Sequence, residues 1–200
     1  SVRRFPLRLK GFCAVNPRWG PAAVAEVERC AQAGLVGIGE LHPDTQGFDL
    51  GDSATMAPLV ESAVHKGMPI LTHASEPVGH LYAGKGHTTP DVLCRFIECF
   101  PDATLICAHW GGGLPFYALM PEVAEALQNV YFDTAVSPLL YQKQVFAIAA
   151  SLVGPEKILL GSDYPLVAHR RLAQELHESG LEPEAKQAIL GENAVRLLNL

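Results

Sequence analysis

Six short runs of aliphatic and β-branched residues punctuate the chain: LKGFCAV, LVGIGE, MPILTH, ATLICAH, VYFD and KILLGSD. None alternates strictly between apolar and polar positions, so each reads as a strand buried on both faces, the pattern of a parallel sheet. Segments with helical start and stop chemistry lie between them. Pro21 takes a first helical position and Gly34 falls just past an end. Gly67 follows APLVESAVHK, and Thr89-Pro90 opens DVLCRFIECF. Gly180 closes HRRLAQELHES and Gly191 closes EPEAKQAIL, which leaves ENAVRLLNL as a terminal amphipathic helix. Strand starts lie roughly 26 to 35 residues apart, the size of a βα unit, and the alternation predicts an α/β fold with a parallel sheet.

Six such units nearly exhaust the 200 residues, whereas an eight-unit barrel at this spacing needs about 240. No linker, low-complexity tract or charge block interrupts the pattern, so residues 1–200 read as a single domain. A formal charge of −6 argues against a nucleic-acid binder that works by neutralising phosphates, and against a protein held on an anionic membrane surface. No apolar stretch approaches the ~18 residues of a membrane span. The five cysteines are scattered without a C-x-x-C, which reads as reduced thiols in a cytoplasmic protein. The basic opening segment is cut short at Asn16-Pro17 and does not read as a signal peptide.

Sites in parallel α/β folds gather at the C-terminal ends of the strands. Five consecutive strand candidates end there in an ionisable residue: Glu40, His73, His109, Asp133 and Asp163. Two histidines and several carboxylates in one ring suit a zinc-like cation with nitrogen and oxygen ligands. Each also has an ordinary structural reading. His73 and His109 could be histidines satisfied by backbone, Asp133 and Asp163 turn or strand-end caps, and Glu40 the partner of a nearby base. His42, His65, His169 and His177 fall on turns or helical faces and read as solvated. Trp110 leads into Gly111-Gly112-Gly113, a run that lets backbone approach a ligand closely, and is counted among the substrate contacts. The segment ASEPVGHLYAGKGHT is long for a βα loop and suits a substrate cover. It contributes Glu76, His80 and Lys85 as substrate-binding candidates, with Lys85 placed to meet an anionic group. Gly79 to Lys85 imitates a phosphate loop, but Gly86 replaces the required hydroxyl residue and no G-x-S-x-G elbow occurs.

GLVGIGELHP, ILTHASEPVGH, LICAHWGGGLPFY, VYFDTAVSP, ILLGSDYPL and GENAVRLLNL together resemble the amidohydrolase superfamily. The nearest branch is the amidohydrolase-2 group, which includes aminocarboxymuconate-semialdehyde decarboxylase. The resemblance implies a (β/α)8-type TIM barrel with a divalent metal, here one zinc, at the C-terminal face. It places a metal ligand at His73, a ligand or catalytic group at His109, and a ligand and proton acceptor at Asp163. Glu40 stands where many relatives carry a lysine, which favours one metal over a bridged pair. The family's first-strand H-x-H motif has no counterpart here, so LKGFCAVNP aligns with the third strand and about six of the eight units, strands three to eight, are expected.

The resemblance implies a metal-dependent hydrolase acting on an amide, ester or lactone of a small acidic substrate, with His109 and Asp163 catalytic. Two alternatives stay open. One is a non-oxidative decarboxylase of a carboxylated aromatic or muconate-type acid. The other is an inactive barrel fragment serving as scaffold or binding domain, without stoichiometric metal. The 200-residue chain itself, without the first-strand pair, is expected to bind zinc weakly and turn over little. A small molecule is the expected partner, and relatives of this kind suggest a homodimer.

Overall fold

A computed structural model describes residues 2–200. Its single sheet has six parallel strands in chain order, β1 (Phe12–Cys13), β2 (Gly37–Leu41), β3 (Ile70–Thr72), β4 (Leu105–Cys107), β5 (Val130–Asp133) and β6 (Ile158–Leu159). Each strand pairs with the next in sequence, with Ile70 opposite Leu105, Leu105 opposite Val130 and Phe132 opposite Ile158. A parallel sheet that never reverses strand order, with helices in the crossovers, is the arc of a (β/α)8-type barrel.

The crossover helices start and stop where local chemistry dictates. α1 (Pro21–Gln32) opens on Pro21 and is followed by Gly34 at φ 83°. After the one-turn α2 (Pro43–Gln46), α3 (Ser53–Lys66) starts a turn ahead of the APLVESAVHK segment. The Asp52 carboxylate accepts the Ala54 and Thr55 N–H groups there, and Gly67 ends the helix in the left-handed region. α4 (Pro90–Cys99) follows the long loop, and α5 (Pro121–Ala126), α6 (Ser137–Leu140) and α7 (Val145–Val153) flank β5. Buried side chains from both layers, among them Ile38, Leu59, Ile70, Leu93, Phe96, Phe132 and Phe146, form one core.

The C-terminal end departs from the expected pattern. After α8 (His169–His177), α9 (Pro183–Gln187) does not stop at Gly191 but passes through a π turn over Ala188–Glu192 into α10 (Asn193–Leu198). The wide turn frees the Ile189 carbonyl to accept the Leu160 N–H, while the Asn193 amide donates to the carbonyls of Pro155 and Ile158. These contacts dock the helix onto the end of β6, and they override glycine's preference for a helix stop.

Candidate active site

The expected strand-end residues gather at one end of the sheet. Glu40 lies inside β2 one residue before its end, His73 directly follows β3, His109 follows β4 after Ala108, and Asp163 comes four residues after β6. Glu40, His73, His80, His109 and Asp163 line one cavity of about 460 Å3, together with His42 and Tyr82 and the apolar side chains of Val136, Leu139, Leu140 and Leu166.

Three of these residues converge further. One ligand atom from each of Glu40, His73 and His109 lies within 4.8 Å of the other two. His73 Nδ1 is 3.1 Å from Glu40 Oε1 and His109 Nε2 is 3.9 Å from the same oxygen. Glu40, expected as a substrate contact or as the partner of a nearby base, lines the cavity and stands among the nitrogen donors. A carboxylate oxygen and an imidazole nitrogen this close are joined either by an N–H on Nδ1, which a neutral ring supplies, or by a shared cation. Two imidazoles and a carboxylate are donors that zinc and manganese both accept, so the residues fit a divalent ion.

The surroundings fix the ring positions. The other nitrogen of His73 lies 3.2 Å from the buried Ser75 hydroxyl, which also accepts the Gly86 N–H. His42 stacks on His73 with centroids 4.1 Å apart and an interplanar angle of 9°, and His109 meets it edge-on at 4.9 Å. His109 Nδ1 donates to the Ala135 carbonyl, which leaves Nε2 directed to Glu40. The His109 backbone N–H donates to Asp133 Oδ1, an oxygen that also accepts the Ala135 N–H. Asp133 therefore braces His109 rather than entering the cavity. Burial works against ionisation of Glu40, but the hydrogen bond with His73 and the charges of His109, His73 and His42 outweigh it and hold the carboxyl below its usual range. At Asp133 burial wins and raises the carboxyl, against the pull of His109 and of the two N–H donors. His42 is lowered by its own burial and then by neighbouring His73.

Several expectations need correction. Trp110 is fully buried in the core: its indole N–H donates to Ser137 Oγ and its ring packs edge-on against Phe146 at 5.3 Å. His109, Trp110 and the three following glycines all have φ between 55° and 97°, and this left-handed turn points His109 to the cavity and Trp110 away from it. Lys85 does not line the cavity. Its ammonium donates to the carbonyls of Val78 and His80 and ties the loop to itself. Glu76 also stands outside the lining; it accepts the Tyr82 hydroxyl and so holds Tyr82 on the cavity wall. His42, read as solvated, is a wall of the site. Its only sequence signal was its place two residues after Glu40 at a strand end. His65, His169 and His177 are exposed, as expected.

The sequence profile of the amidohydrolase family matches residues 1–200. All of the chain aligns, at 24% identity, with 63% of a 2-amino-3-carboxymuconate-6-semialdehyde decarboxylase of Dictyostelium discoideum. At 31% identity, 56% of the chain aligns with 40% of a 6-methylsalicylic acid decarboxylase of Penicillium expansum. The chain thus spans less than two thirds of the length of these curated relatives. Among solved structures, a 5-carboxyvanillate decarboxylase from Sphingomonas paucimobilis superposes with a TM-score of 0.81 at 19% identity, covering all of this chain and 69% of that one. A dihydroxybenzoic acid decarboxylase from Polaromonas sp. JS666, with bound manganese and the inhibitor 2-nitroresorcinol, superposes at 0.76 and 18% identity, covering all of this chain and 71% of that one. At these identities the two structures establish the shared fold.

Proposed function

Because the chain belongs to the amidohydrolase family, we propose that it carries the catalytic face of a cation-dependent enzyme that releases CO2, without oxidation, from a small carboxylated aromatic or muconate-type acid. The observation that carries this reading is the convergence of Glu40, His73 and His109 in a cavity whose remaining lining includes Val136, Leu139, Leu140 and Leu166. Cationic chemistry beside an apolar wall suits a flat acid. The resemblance to two curated decarboxylases supports loss of CO2 over hydrolysis.

A divalent cation bound here would supply positive charge to the substrate carboxylate. Glu40 and His73 are the residues that would hold it, and Asp163 lines the same cavity. His109 lies farther from Glu40 than His73 does, and its Nδ1 is fixed on Ala135. We assign proton delivery to Nε2 of its imidazolium form, which leaves the neutral ring with Nδ1 still donating to Ala135. The proton adds to the substrate carbon bearing the carboxylate, the bond from that carbon to the carboxylate breaks, and its electron pair restores the unsaturated system as CO2 leaves. His80 and Tyr82 cover the substrate from the loop, and Leu139 and Leu166 exclude water from it. Hydrolysis of an amide, ester or lactone would use the same groups on water.

The test measures CO2 release from a panel of hydroxybenzoates and muconate-type acids beside ring opening of lactones. CO2 from at least one acid, with the lactones intact, is expected. His109→Gln should lower kcat by at least about 10²-fold with little change in KM. His73→Ala should weaken cation binding, and restoring zinc or manganese after chelation identifies the working ion. Lactone hydrolysis without CO2 release would reverse the assignment, and turnover of neither class would favour a scaffold or binding domain.

A further inference from the structure

A second cluster of ligating atoms lies apart from the cavity, between β1 and α1. Cys13 is the last residue of β1, and Glu26 and Cys30 are one turn apart on the face of α1 that covers it. One ligand atom from each of the three lies within 4.8 Å of the others. The two cysteines are 1% and 3% exposed, while the Glu26 side chain is 36% exposed and forms the mouth of the cluster. The Cys30 thiol donates to Glu26 Oε1 at 3.4 Å, and the Cys13 thiol to the Glu26 backbone carbonyl at 3.8 Å.

We propose that Cys13, Cys30 and Glu26 form a second metal site that takes a thiophilic divalent cation of the zinc class and ties β1 to α1. Sulfur and oxygen ligands on one tetrahedral zinc lie about 3.5–3.8 Å apart, from bond lengths of about 2.3 and 2.0–2.2 Å. The Cys30–Glu26 pair, at 3.4 Å, lies about 0.1 Å inside this spacing, and all three ligand atoms lie within 4.8 Å of one another. Charge balances as well. Two thiolates and a carboxylate, offset by the Arg29 guanidinium that pairs with Glu26 at 2.6 and 2.7 Å and reaches Cys30 at 3.6 Å, leave two negative charges for one divalent ion. Binding breaks two S–H bonds, forms two metal–sulfur bonds and releases two protons to solvent. Because both thiols must lose their protons to bind, affinity rises with pH.

Cobalt(II) titration of the full chain reads this site directly, because thiolate-to-cobalt charge transfer absorbs in the near ultraviolet and imidazole or carboxylate ligation does not. One equivalent of band-forming cobalt with two protons released is expected. The band should persist in His73→Ala and in Cys94→Ala, and disappear in Cys30→Ala. Glu26→Gln, at the partly exposed mouth, should weaken cobalt binding at least tenfold and serves where a cysteine variant fails to fold. Absence of a thiolate band at saturating cobalt, or a band that survives in Cys30→Ala, overturns the proposal. So does Glu26→Gln binding cobalt as tightly as the parent chain.

Discussion

A Cβ on Gly112 would stand 2.3 Å from the Ser75 carbonyl oxygen, and φ there is +61°. Gly112→Ala therefore has both a strained backbone and a collision with the residue that supports His73. We expect it to cost at least about 2 kcal/mol in denaturant unfolding and to weaken cation binding together with stability. A second residue-level expectation concerns alkaline pH. The Cys13 thiol rises from its ordinary 9.0 to about 12 in the folded chain, mainly through burial. The folded state thus holds this proton more tightly, and the stability it brings is complete below pH 9 and lost as pH climbs toward 12. Melting temperatures in the absence of metal should fall less steeply over that range in Cys13→Ala than in the parent chain. At this scale the sequence was readable where a residue's position at a strand end decided its place, since His73, His109 and Asp163 all line the one cavity. It was unreadable for Trp110, because handedness in a run of positive φ sends adjacent side chains to opposite sides without leaving a periodic trace.

Among the elements, the C-terminal helix depends on a side chain more than on its own propensity. Asn193 is fully buried and its amide satisfies two carbonyls of the segment entering β6. Replacing it with Ala leaves both acceptors without that donor, and we expect a loss of about 2 kcal/mol. A thermal melt of Asn193→Ala, compared with exposed Leu190→Ala, would separate this docking from a generic helix effect. The element pattern was largely legible, since prolines and glycines mark most boundaries. Gly191 was misleading because a π turn accepts glycine inside a helix when a neighbouring strand needs the freed carbonyl. Lys85 was misleading for a related reason: a cation within a glycine-rich loop found the loop's own carbonyls before any ligand.

At the level of the molecule, strand spacing alone forecast six βα units in order, because each unit of a barrel is a local sequence event. What binds in the cavity was forecast only from the resemblance and not from the strand pattern, since it depends on side chains brought together from β2 to the segment after β6. Among the described residues β1 pairs only with β2 and β6 only with β5. Parallel strands with unpaired outer edges invite pairing with another copy. We expect the 200-residue chain to self-associate with rising concentration in light scattering, and a constant monomer mass over a wide concentration range would count against it.

The loop after β3 leaves and returns through Ser75. Its hydroxyl holds the Gly86 N–H at one side and faces His73 at the other, while Asp44 grips His87 at the loop's far end. The neck of the loop is therefore fastened to the ligand cluster, whereas its tip around Val78 to Gly84 is largely exposed. The tip can be lengthened, shortened or exchanged while Glu40, His73 and His109 keep their spacing. The outline of the cavity mouth and the spacing of the groups beneath it are thus set by different parts of one loop.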